Sequence, residues 1–247
     1  MKTLGIIGGL GPESTVDYYQ TIIALYRERA GGDSYPQFFI NSMDLNKVRE
    51  PVIADDRQRL TENIVIEIEK LARAGADFGL IAANTPHIVF DAVARASPIP
   101  LLSIVEATCV AARAKRMKRL ALFGTKFTMI GDFYPKVFSR ESIELVAPDL
   151  ADQDYIHDKY MNELIPGKFL PETRAGLLAI VDRMKSKIDS PSPNASPART
   201  YGGAGIDGVI LAGTELPLIL RESEHNGVPF LNTTVIHCRA AVMEMLE

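Results

Sequence analysis

Short apolar runs alternate along the chain with longer stretches in which apolar residues recur every three or four positions. The run at 3–8 precedes a helical pattern at 14–30, and the run at 78–82 follows another at 56–74. A short apolar run bounded by turn residues is typical of a buried strand, and the longer spacing indicates an amphipathic helix. Their alternation predicts an α/β fold with a parallel sheet and right-handed crossovers.

The same two patterns recur along the rest of the chain. Strands are predicted at 3–8, 37–42, 78–82, 101–103, 119–123, 143–146, 208–211 and 229–231. Helices are predicted at 14–30, 56–74, 104–115, 154–164, 172–187 and 233–246. Ligands bind outside the carboxyl ends of the strands in such folds, so the polar residues that follow each strand are the candidates for function.

Two segments far apart in the chain share one pattern. Residues 75–85 and 205–215 each read Gly-x-Asp, an apolar run, small residues and then Asn, Thr or Glu. Residues 4–9 and 120–125 form a second pair in the same order. The chain is therefore predicted to consist of two related halves, with one site between their matched strand ends. The Ser/Pro/Gly-rich stretch at 189–204 is read as an insertion loop in the second half.

Composition and charge narrow the class of protein. The chain has 247 residues, 47% of them apolar, and a net charge of −4 without a basic block, which argues against nucleic-acid binding. We expect neither a signal peptide nor a membrane span, and a cytoplasmic location. The isolated Cys109 and Cys238 form neither a disulfide framework nor a zinc site, and no residue cluster has metal-ligand spacing.

A glycine-rich loop, Gly8-Gly9-Leu10-Gly11, follows the first strand and opens a helix. It lacks the full Gly-x-Gly-x-x-Gly spacing of a dinucleotide site. One alternative is a tight turn in which Ser14 or Thr15 caps the helix. A small carboxylate bound at the helix start fits better than a dinucleotide.

The Asn84-Thr85-Pro86-His87 turn brings an amide, a hydroxyl and an imidazole together. One interpretation is structural: Asn84 or Thr85 caps a helix that starts at the proline, and His87 holds the turn. The other is functional, because the turn after the matching strand, 213–217, has the same small, polar and proline character. Two symmetric strand ends that face one cleft are suited to binding a small substrate.

Glu215 and Glu13 are candidate acid/base groups, because burial raises the pKa of a carboxyl toward neutrality. The alternative for Glu215 is that backbone N–H groups at a helix start bind its carboxylate, which would lower its pKa.

With these residues in place, the chain resembles the aspartate/glutamate racemase superfamily over nearly its whole length. The resemblance rests on residues 6–15 with Tyr18-Tyr19, and on 84–87, 100–104, 122–129 and 213–215. It implies two pseudo-symmetric Rossmann-like lobes with parallel sheets, an active-site cleft between them and a homodimer, and catalysis without pyridoxal phosphate or metal. We expect the first lobe at 1–98 and 216–247 and the second at 99–215.

The resemblance also implies a cysteine on each lobe, which together move the Cα proton from opposite faces of the substrate. The first would stand at position 83, or one residue earlier, where this chain has Ala83 and Ala82. The second would stand at position 213, which is Gly213. Neither Cys109 nor Cys238 follows a matched strand, so two-cysteine catalysis is excluded.

We therefore expect an amino-acid racemase-like isomerase, without a cofactor, that acts on a small carboxylated substrate such as aspartate or glutamate. The alternatives are a decarboxylase, lyase or isomerase acting on a dicarboxylate, and a non-catalytic carboxylate-binding protein. The catalytic candidates are Glu215, His87, Thr85 and Thr214. The candidates for substrate binding are Gly9, Gly11, Pro12, Glu13, Ser14, Asp44, Asn84, Thr85, Thr125, Lys126, Gly213 and Thr214.

Overall fold

Two sheets form the centre of the computed structural model, which describes residues 1–31, 34–186 and 205–247. The strands of the first sheet are β1 (Leu4–Gly8), β2 (Phe38–Ser42), β3 (Phe78–Ile81) and β4 (Leu101–Leu102). They lie in the order β2-β1-β3-β4 and are all parallel. The predicted insertion loop at 189–204 lies outside the described residues.

The second sheet repeats this order. Its strands are β5 (Arg119–Gly124), β6 (Glu144–Val146), β7 (Gly208–Ala212), β8 (Glu224–His225) and β9 (Val228–Asn232). The order β6-β5-β7-β9 matches that of the first sheet strand for strand, and β8 adds an antiparallel edge. The two-lobed α/β fold with parallel sheets is thus confirmed. All predicted strands are present; β8, only two residues long, was missed because it is too short to carry a pattern.

Helices connect the strands and cover the sheets. The α-helices are α1 (Pro12–Ala30), α2 (Asn46–Ile53), α3 (Arg57–Arg73), α4 (Phe90–Ala96), α5 (Ile104–Ala114), α6 (Lys126–Ile130), α7 (Phe133–Phe138), α8 (Leu150–Lys159), α9 (Pro171–Ser186), α10 (Leu216–Ile219) and α11 (Thr233–Leu246). A 3-10 turn, Thr85–Val89, precedes α4, and a π-helix, Tyr160–Leu164, continues α8. β1 and β7 are buried along their whole length, which explains their continuous apolar runs.

The lobes exchange their last helices. α5 follows β4 of the first sheet, yet its Cys109 packs in a core with Leu120 and Leu122 of β5. α11 follows β9 of the second sheet, yet its Cys238 packs in the core around Leu4 of β1. α5 and α11 contact each other between the sheets. The two lobes therefore share a core at their boundary.

The exchange corrects the lobe boundaries drawn from sequence. Residues 101–102 hydrogen-bond to β3 and belong to the first sheet, although the second lobe was expected to start at residue 99. Residues 228–232 hydrogen-bond to β7 in the second sheet, although 216–247 were assigned to the first lobe. That assignment does fit α11, whose core is in the first lobe. In both cases the chain passes from one lobe to the other between a strand and the next helix, because the strand pairs in one sheet and the helix covers the other.

Candidate active site

The carboxyl ends of strands from both sheets meet at a cavity of about 260 Å³. Its lining is mainly apolar and comes from the loop after β1, α2, the turn after β3, the start of α6, and the end of α8 with its π-helix. The apolar residues are Leu10, Leu45, Val48, Val52, Ile53, Ala83, Pro86, Phe127, Met161 and Ile165. The polar residues are Arg49, Asn84, Thr85, Thr125, His157 and Tyr160. An apolar pocket with a few convergent polar groups is the usual form of a small-molecule site.

A larger groove of about 430 Å³ lies elsewhere, between α4, α5 and α7. Four of its charged residues already pair with each other: Lys136 with Asp91 at 2.7 Å and Arg140 with Glu106 at 2.9 Å. Among the strand-end candidates only His87 lines it. The smaller cavity is therefore the better candidate for the active site.

Three threonine hydroxyls join the lobes at the cavity. Thr85 Oγ1 lies 3.0 Å from Thr125 Oγ1 and 3.3 Å from Thr128 Oγ1, and the last two are 3.2 Å apart. Thr125 caps α6 by accepting the Thr128 N–H, which fixes its position. A triad of hydroxyls provides both donors and acceptors for a polar substrate group, but no strong base.

Asn84 is held by the second lobe. Its Oδ1 accepts a hydrogen bond from the Tyr134 hydroxyl at 2.6 Å, and its Nδ2 donates to Thr233 Oγ1 at 3.4 Å. Thr233 in turn donates to the Leu211 carbonyl at 2.7 Å. The predicted capping role is wrong, because neither the Asn84 side chain nor that of Thr85 caps the turn that begins at Thr85. The fixed amide instead lies on the cavity wall.

His87 is part of the framework beside the cavity. Its Nδ1–H donates to the Ala83 carbonyl at 3.0 Å, and its Nε2 accepts the N–H of Ile104 at 3.2 Å. The ring stacks on Phe90, with 4.9 Å between the centroids. Burial, together with the nearby His237, lowers the pKa of His87 to about 3. With both nitrogens bonded, His87 holds α5 against the end of β3, and a role in proton transfer finds no support in its geometry.

Glu215 is buried beneath the cavity wall. Its Oε2 accepts hydrogen bonds from the Tyr160 hydroxyl and, at 3.1 Å, from Thr214 Oγ1, while Oε1 has no hydrogen-bond partner among the described residues. Burial raises the pKa of Glu215, although the hydrogen bond from Tyr160 opposes the shift. The carboxyl does not cap α10, and the bond from its own backbone N–H lowers the pKa by less than burial raises it, so the alternative of a lowered pKa is wrong.

The glycine-rich loop packs closely against this carboxyl. A Cβ at Gly11 would lie 1.7 Å from Glu215 Oε1, so only glycine fits there. α1 begins at Pro12, hence Ser14 and Thr15 lie inside its first turn and not at the cap. Their hydroxyls donate to the Gly11 carbonyl at 2.9 and 3.0 Å. The loop therefore encloses Glu215.

Other predicted binding residues lie outside the cavity lining. Exposed Glu13 lies beside Gly167, and Pro12 next to it is also exposed. Asp44 Oδ1 accepts the Asn46 N–H at 2.9 Å in the turn before α2. Lys126 forms an ion pair with Asp154 at 2.8 Å. Gly9, whose N–H donates to Thr15 Oγ1 at 2.9 Å, likewise belongs to the loop and not to the lining.

Three polar residues of the lining were missed by the sequence reading. Arg49 lies on α2, which was not predicted, and its guanidinium forms no ion pair with any described carboxylate. His157 follows no predicted strand, yet its Nδ1 accepts the Lys126 N–H at 3.2 Å at the cavity wall. Tyr160 lies within a predicted helix, but the sequence does not show that this helix widens into a π-helix, which brings Tyr160 to the cavity wall.

The positions at which the family resemblance places cysteines differ in their surroundings. Ala83 lines the cavity. Gly213 does not: a Cβ there would lie 2.4 Å from Tyr160 Cε2. Cys109 and Cys238 are 3% and 0% exposed on α5 and α11, away from the cavity lining. Burial raises the pKa of Cys109 to about 11, so neither its position nor its ionisation suits proton transfer in the cavity.

The described residues contain no group of three or more His, Cys, Asp or Glu side chains placed to hold a metal ion. They also contain no helix with the length and apolar character required to cross a bilayer.

Comparisons with known proteins agree with the fold and the strand-end motifs. The family model described as Asp/Glu/Hydantoin racemase matches residues 7–190, and the chain belongs to this family. The chain is 28% identical over 152 residues to the broad specificity amino-acid racemase RacX of Bacillus subtilis, in a match that covers 59% of this chain and 64% of that protein. The chain thus spans just under two thirds of this curated relative.

Two solved structures are similar over the full length of both chains. One is a provisionally assigned Asp/Glu racemase from Yersinia pestis, with a TM-score of 0.83 and 27% identity. The other is an aspartate racemase homologue from Pyrococcus horikoshii, with a TM-score of 0.78 and 30% identity. Both similarities cover 100% of each chain, so the two-lobed architecture of this chain is that of the family.

Proposed function

We propose that this chain is an isomerase of the amino-acid racemase type, which moves the proton on the carbon next to the carboxylate of a small amino acid. The observation that carries the proposal is the cavity at the matched strand ends, which combines an arginine that pairs with no described carboxylate, the Thr85 and Thr125 hydroxyls and a fixed amide with an apolar wall. Family membership supports the same class of reaction.

Arg49 would bind the substrate carboxylate. A guanidinium binds a carboxylate through two parallel hydrogen bonds and stabilises the negative charge that builds up when the Cα proton leaves. The Thr85–Thr125–Thr128 triad and the Asn84 amide would bind the amino group or a side-chain oxygen. The proposed reaction is independent of pyridoxal phosphate, and it is consistent with this that the described lining contains no lysine to form a Schiff base.

The apolar wall bears on the choice of substrate. Aspartate and glutamate, the substrates expected from the resemblance, carry a second carboxylate, but Arg49 is the one arginine or lysine in the described lining. Leu45, Val48 and Phe127 would instead contact an apolar side chain. The substrate panel therefore includes leucine, methionine and phenylalanine beside aspartate and glutamate.

A second candidate reaction is favoured by the asymmetry of the site. The Tyr160–Glu215 pair lies at the second-lobe strand end, while Ala83 at the first-lobe strand end provides no acid or base. A decarboxylase needs only one proton donor, which protonates the carbanion left by the loss of CO₂. A substituted malonate is the substrate that would test this reaction.

Proton NMR in D₂O distinguishes these reactions. The protein is incubated with each L- and D-amino acid of the panel, and the loss of the Cα–H signal is followed over hours. Exchange of the Cα proton supports the isomerase, and CO₂ release from a malonate supports the decarboxylase. Saturable binding without either reaction would indicate the third alternative, a carboxylate-binding protein. Homodimer formation, also expected from the resemblance, is tested by light scattering on the same sample.

A further inference from the structure

We propose that Tyr160 is the catalytic acid/base at the second-lobe face of the substrate, in the space that a side chain at position 213 would occupy, with Glu215 as its proton partner. The inference rests on the proposed function, because it assigns the proton-transfer group of that reaction. Its basis is the packing of the three residues around the end of β7.

The phenol fills the space next to Gly213. A Cβ on Gly213 would lie 2.4 Å from Tyr160 Cε2 and 3.0 Å from the Tyr160 hydroxyl oxygen. Real Cβ atoms do not approach other atoms within 3.0 Å, so a cysteine at 213 and the present position of Tyr160 exclude each other. The glycine and the tyrosine therefore form one arrangement, in which the edge of the phenol ring fills the point where the side chain of residue 213 would start and the hydroxyl oxygen lies 3.0 Å from that point.

The backbone explains how a helical residue reaches this place. The Ile165 N–H donates to the Tyr160 carbonyl at 3.0 Å, a bond five residues long that widens the helix after Lys159. π-helical turns are rare and frequently occur at functional sites. The wide turn places Tyr160, Met161 and Ile165 together on the cavity wall.

The hydroxyl has a proton acceptor. It donates to Glu215 Oε2, and Glu215 keeps a second oxygen, Oε1, without a partner among the described residues. Burial raises the pKa of both groups, so the phenol stays protonated and the carboxyl is a stronger base than in water. A buried carboxyl with free acceptor capacity, hydrogen-bonded to a phenol whose residue lines the cavity, is suited to relaying a proton.

The proton-transfer step balances with these groups alone. The Cα–H bond of the substrate breaks, and its electron pair remains on the substrate as the enolate of the carboxylate. The Tyr160 oxygen takes the Cα proton while its own proton passes to Glu215 Oε2. Once the proton on the Tyr160 oxygen has exchanged for a deuteron of the solvent, the reverse transfer delivers that deuteron to the same face of Cα, and Arg49 stabilises the enolate in between.

At the first-lobe strand end the described lining has no equivalent group. It consists there of Ala83, Asn84 and Thr85, none of which is acidic or basic enough to replace a cysteine, whereas the imidazole of the lining, His157, comes from α8 of the second lobe. We therefore expect proton exchange with retention of configuration: one enantiomer acquires deuterium at Cα much faster than it racemises.

The test compares Cα–H exchange in D₂O for the wild type, Tyr160→Phe and Glu215→Gln, with Tyr155→Phe as the matched control. Tyr155 lies on α8, but its hydroxyl faces Gly176 of α9 and not the cavity. Tyr160→Phe keeps the ring, so we expect substrate binding within about threefold of the wild type and an exchange rate at least about 100-fold lower. Glu215→Gln should lower kcat by a similar factor and leave KM within about threefold, whereas Tyr155→Phe should exchange at the wild-type rate.

Each outcome decides the assignment. Exchange that survives Tyr160→Phe within threefold, in a wild type that is active, overturns the role of Tyr160 and leaves the proposed function in place. A wild type that exchanges no proton with any member of the panel removes the proposed function and this assignment together. Loss of exchange in Tyr160→Phe supports the assignment only if circular dichroism shows that the variant is folded; if Tyr160→Phe is unfolded, Glu215→Gln decides by the same criteria.

Discussion

Replacing Gly213 by alanine tests the packing on which the role of Tyr160 depends. The substitution adds one methyl group at the end of β7, 2.4 Å from Tyr160 Cε2 and 2.9 Å from its Cζ. Carbon atoms attract each other best at about 3.5–4.0 Å, so the methyl overlaps the ring by about 1 Å. Gly213 has no positive φ, so alanine adds no backbone strain.

The size of the effect follows from two opposing contributions. The tyrosine ring is only 6% exposed, packs in the core with Leu164 and Leu216, and is fixed at its hydroxyl by Glu215, so it cannot move aside freely. Overpacking of this kind costs about 1–3 kcal/mol. Alanine also reduces the entropy of the unfolded chain, which stabilises by about 0.4–1 kcal/mol. We expect the free energy of unfolding to fall by about 1–2 kcal/mol.

Urea denaturation of four proteins measures the contact itself: wild type, Gly213→Ala, Tyr160→Ala and the double variant. In the Tyr160→Ala background the methyl has room, so its penalty should disappear and the coupling energy should be about 1–2 kcal/mol. Gly79→Ala is the control for additivity, because a Cβ at Gly79 meets the flexible end of Leu101 and not the tyrosine. Its effect should add to that of Tyr160→Ala within about 0.5 kcal/mol.

The reasoning is refuted if Gly213→Ala unfolds within about 0.5 kcal/mol of the wild type, or if its penalty persists unchanged in the Tyr160→Ala background. Either result would mean that the ring does not occupy the side-chain space of residue 213. The inference that Tyr160 and a side chain at position 213 exclude each other would then be wrong.

Three further predictions follow from the site and its framework. Arg49→Ala should weaken substrate binding at least about 10-fold by calorimetry, since a charge-assisted hydrogen bond contributes about 1.5–3 kcal/mol, while Arg59→Ala, which removes an exposed ion pair with a glutamate, should bind normally. His87 and His237 have pKa values lowered to about 3 and about 4, so below pH 6.5 the unfolded chain protonates them while the folded protein keeps them neutral. The free energy of unfolding, measured in urea, should therefore fall as the pH drops from about 6.5 toward 4, by up to about 1.4 kcal/mol per pH unit for each histidine. A flat profile would contradict this. Ala83→Cys adds a thiol on the face opposite Tyr160, so chiral chromatography should detect racemisation where the wild type mainly exchanges deuterium with retention; unchanged retention would argue against the one-sided site.

Much of the fold was predictable because the sheets are buried on both faces. Strands such as β1 and β7 then consist of unbroken apolar residues, and the repeat of 75–85 at 205–215 revealed the duplication. The exchange of α5 and α11 was not predictable in this way. An apolar helix face indicates that the helix is buried. It does not indicate which of two similar sheets the helix packs against.

The candidate site was predictable where its residues directly follow strands. Asn84, Thr85 and Thr125 come immediately after apolar runs, and all three line the cavity. Arg49 lies on the short helix α2, whose internal proline, Pro51, disguises a helical pattern. Lys126 and Asp44 also follow predicted strands, but neither lines the cavity. Lys126 forms an ion pair and Asp44 a hydrogen bond within a local turn, and the sequence does not determine these side-chain conformations.

The two positions at which the resemblance implies cysteines differ once the surroundings of each are known. From the sequence, Ala83 and Gly213 were equivalent, because neither residue is an acid or a base. In the folded chain they differ, because Ala83 borders open cavity whereas the space beside Gly213 is filled by Tyr160, from a segment more than fifty positions earlier in the chain. That tyrosine donates a hydrogen bond to Glu215, a candidate acid/base group of the strand-end motif. The glycine at 213 and the tyrosine beside it therefore depend on each other in packing, and together they place the proposed acid/base pair at the second-lobe strand end.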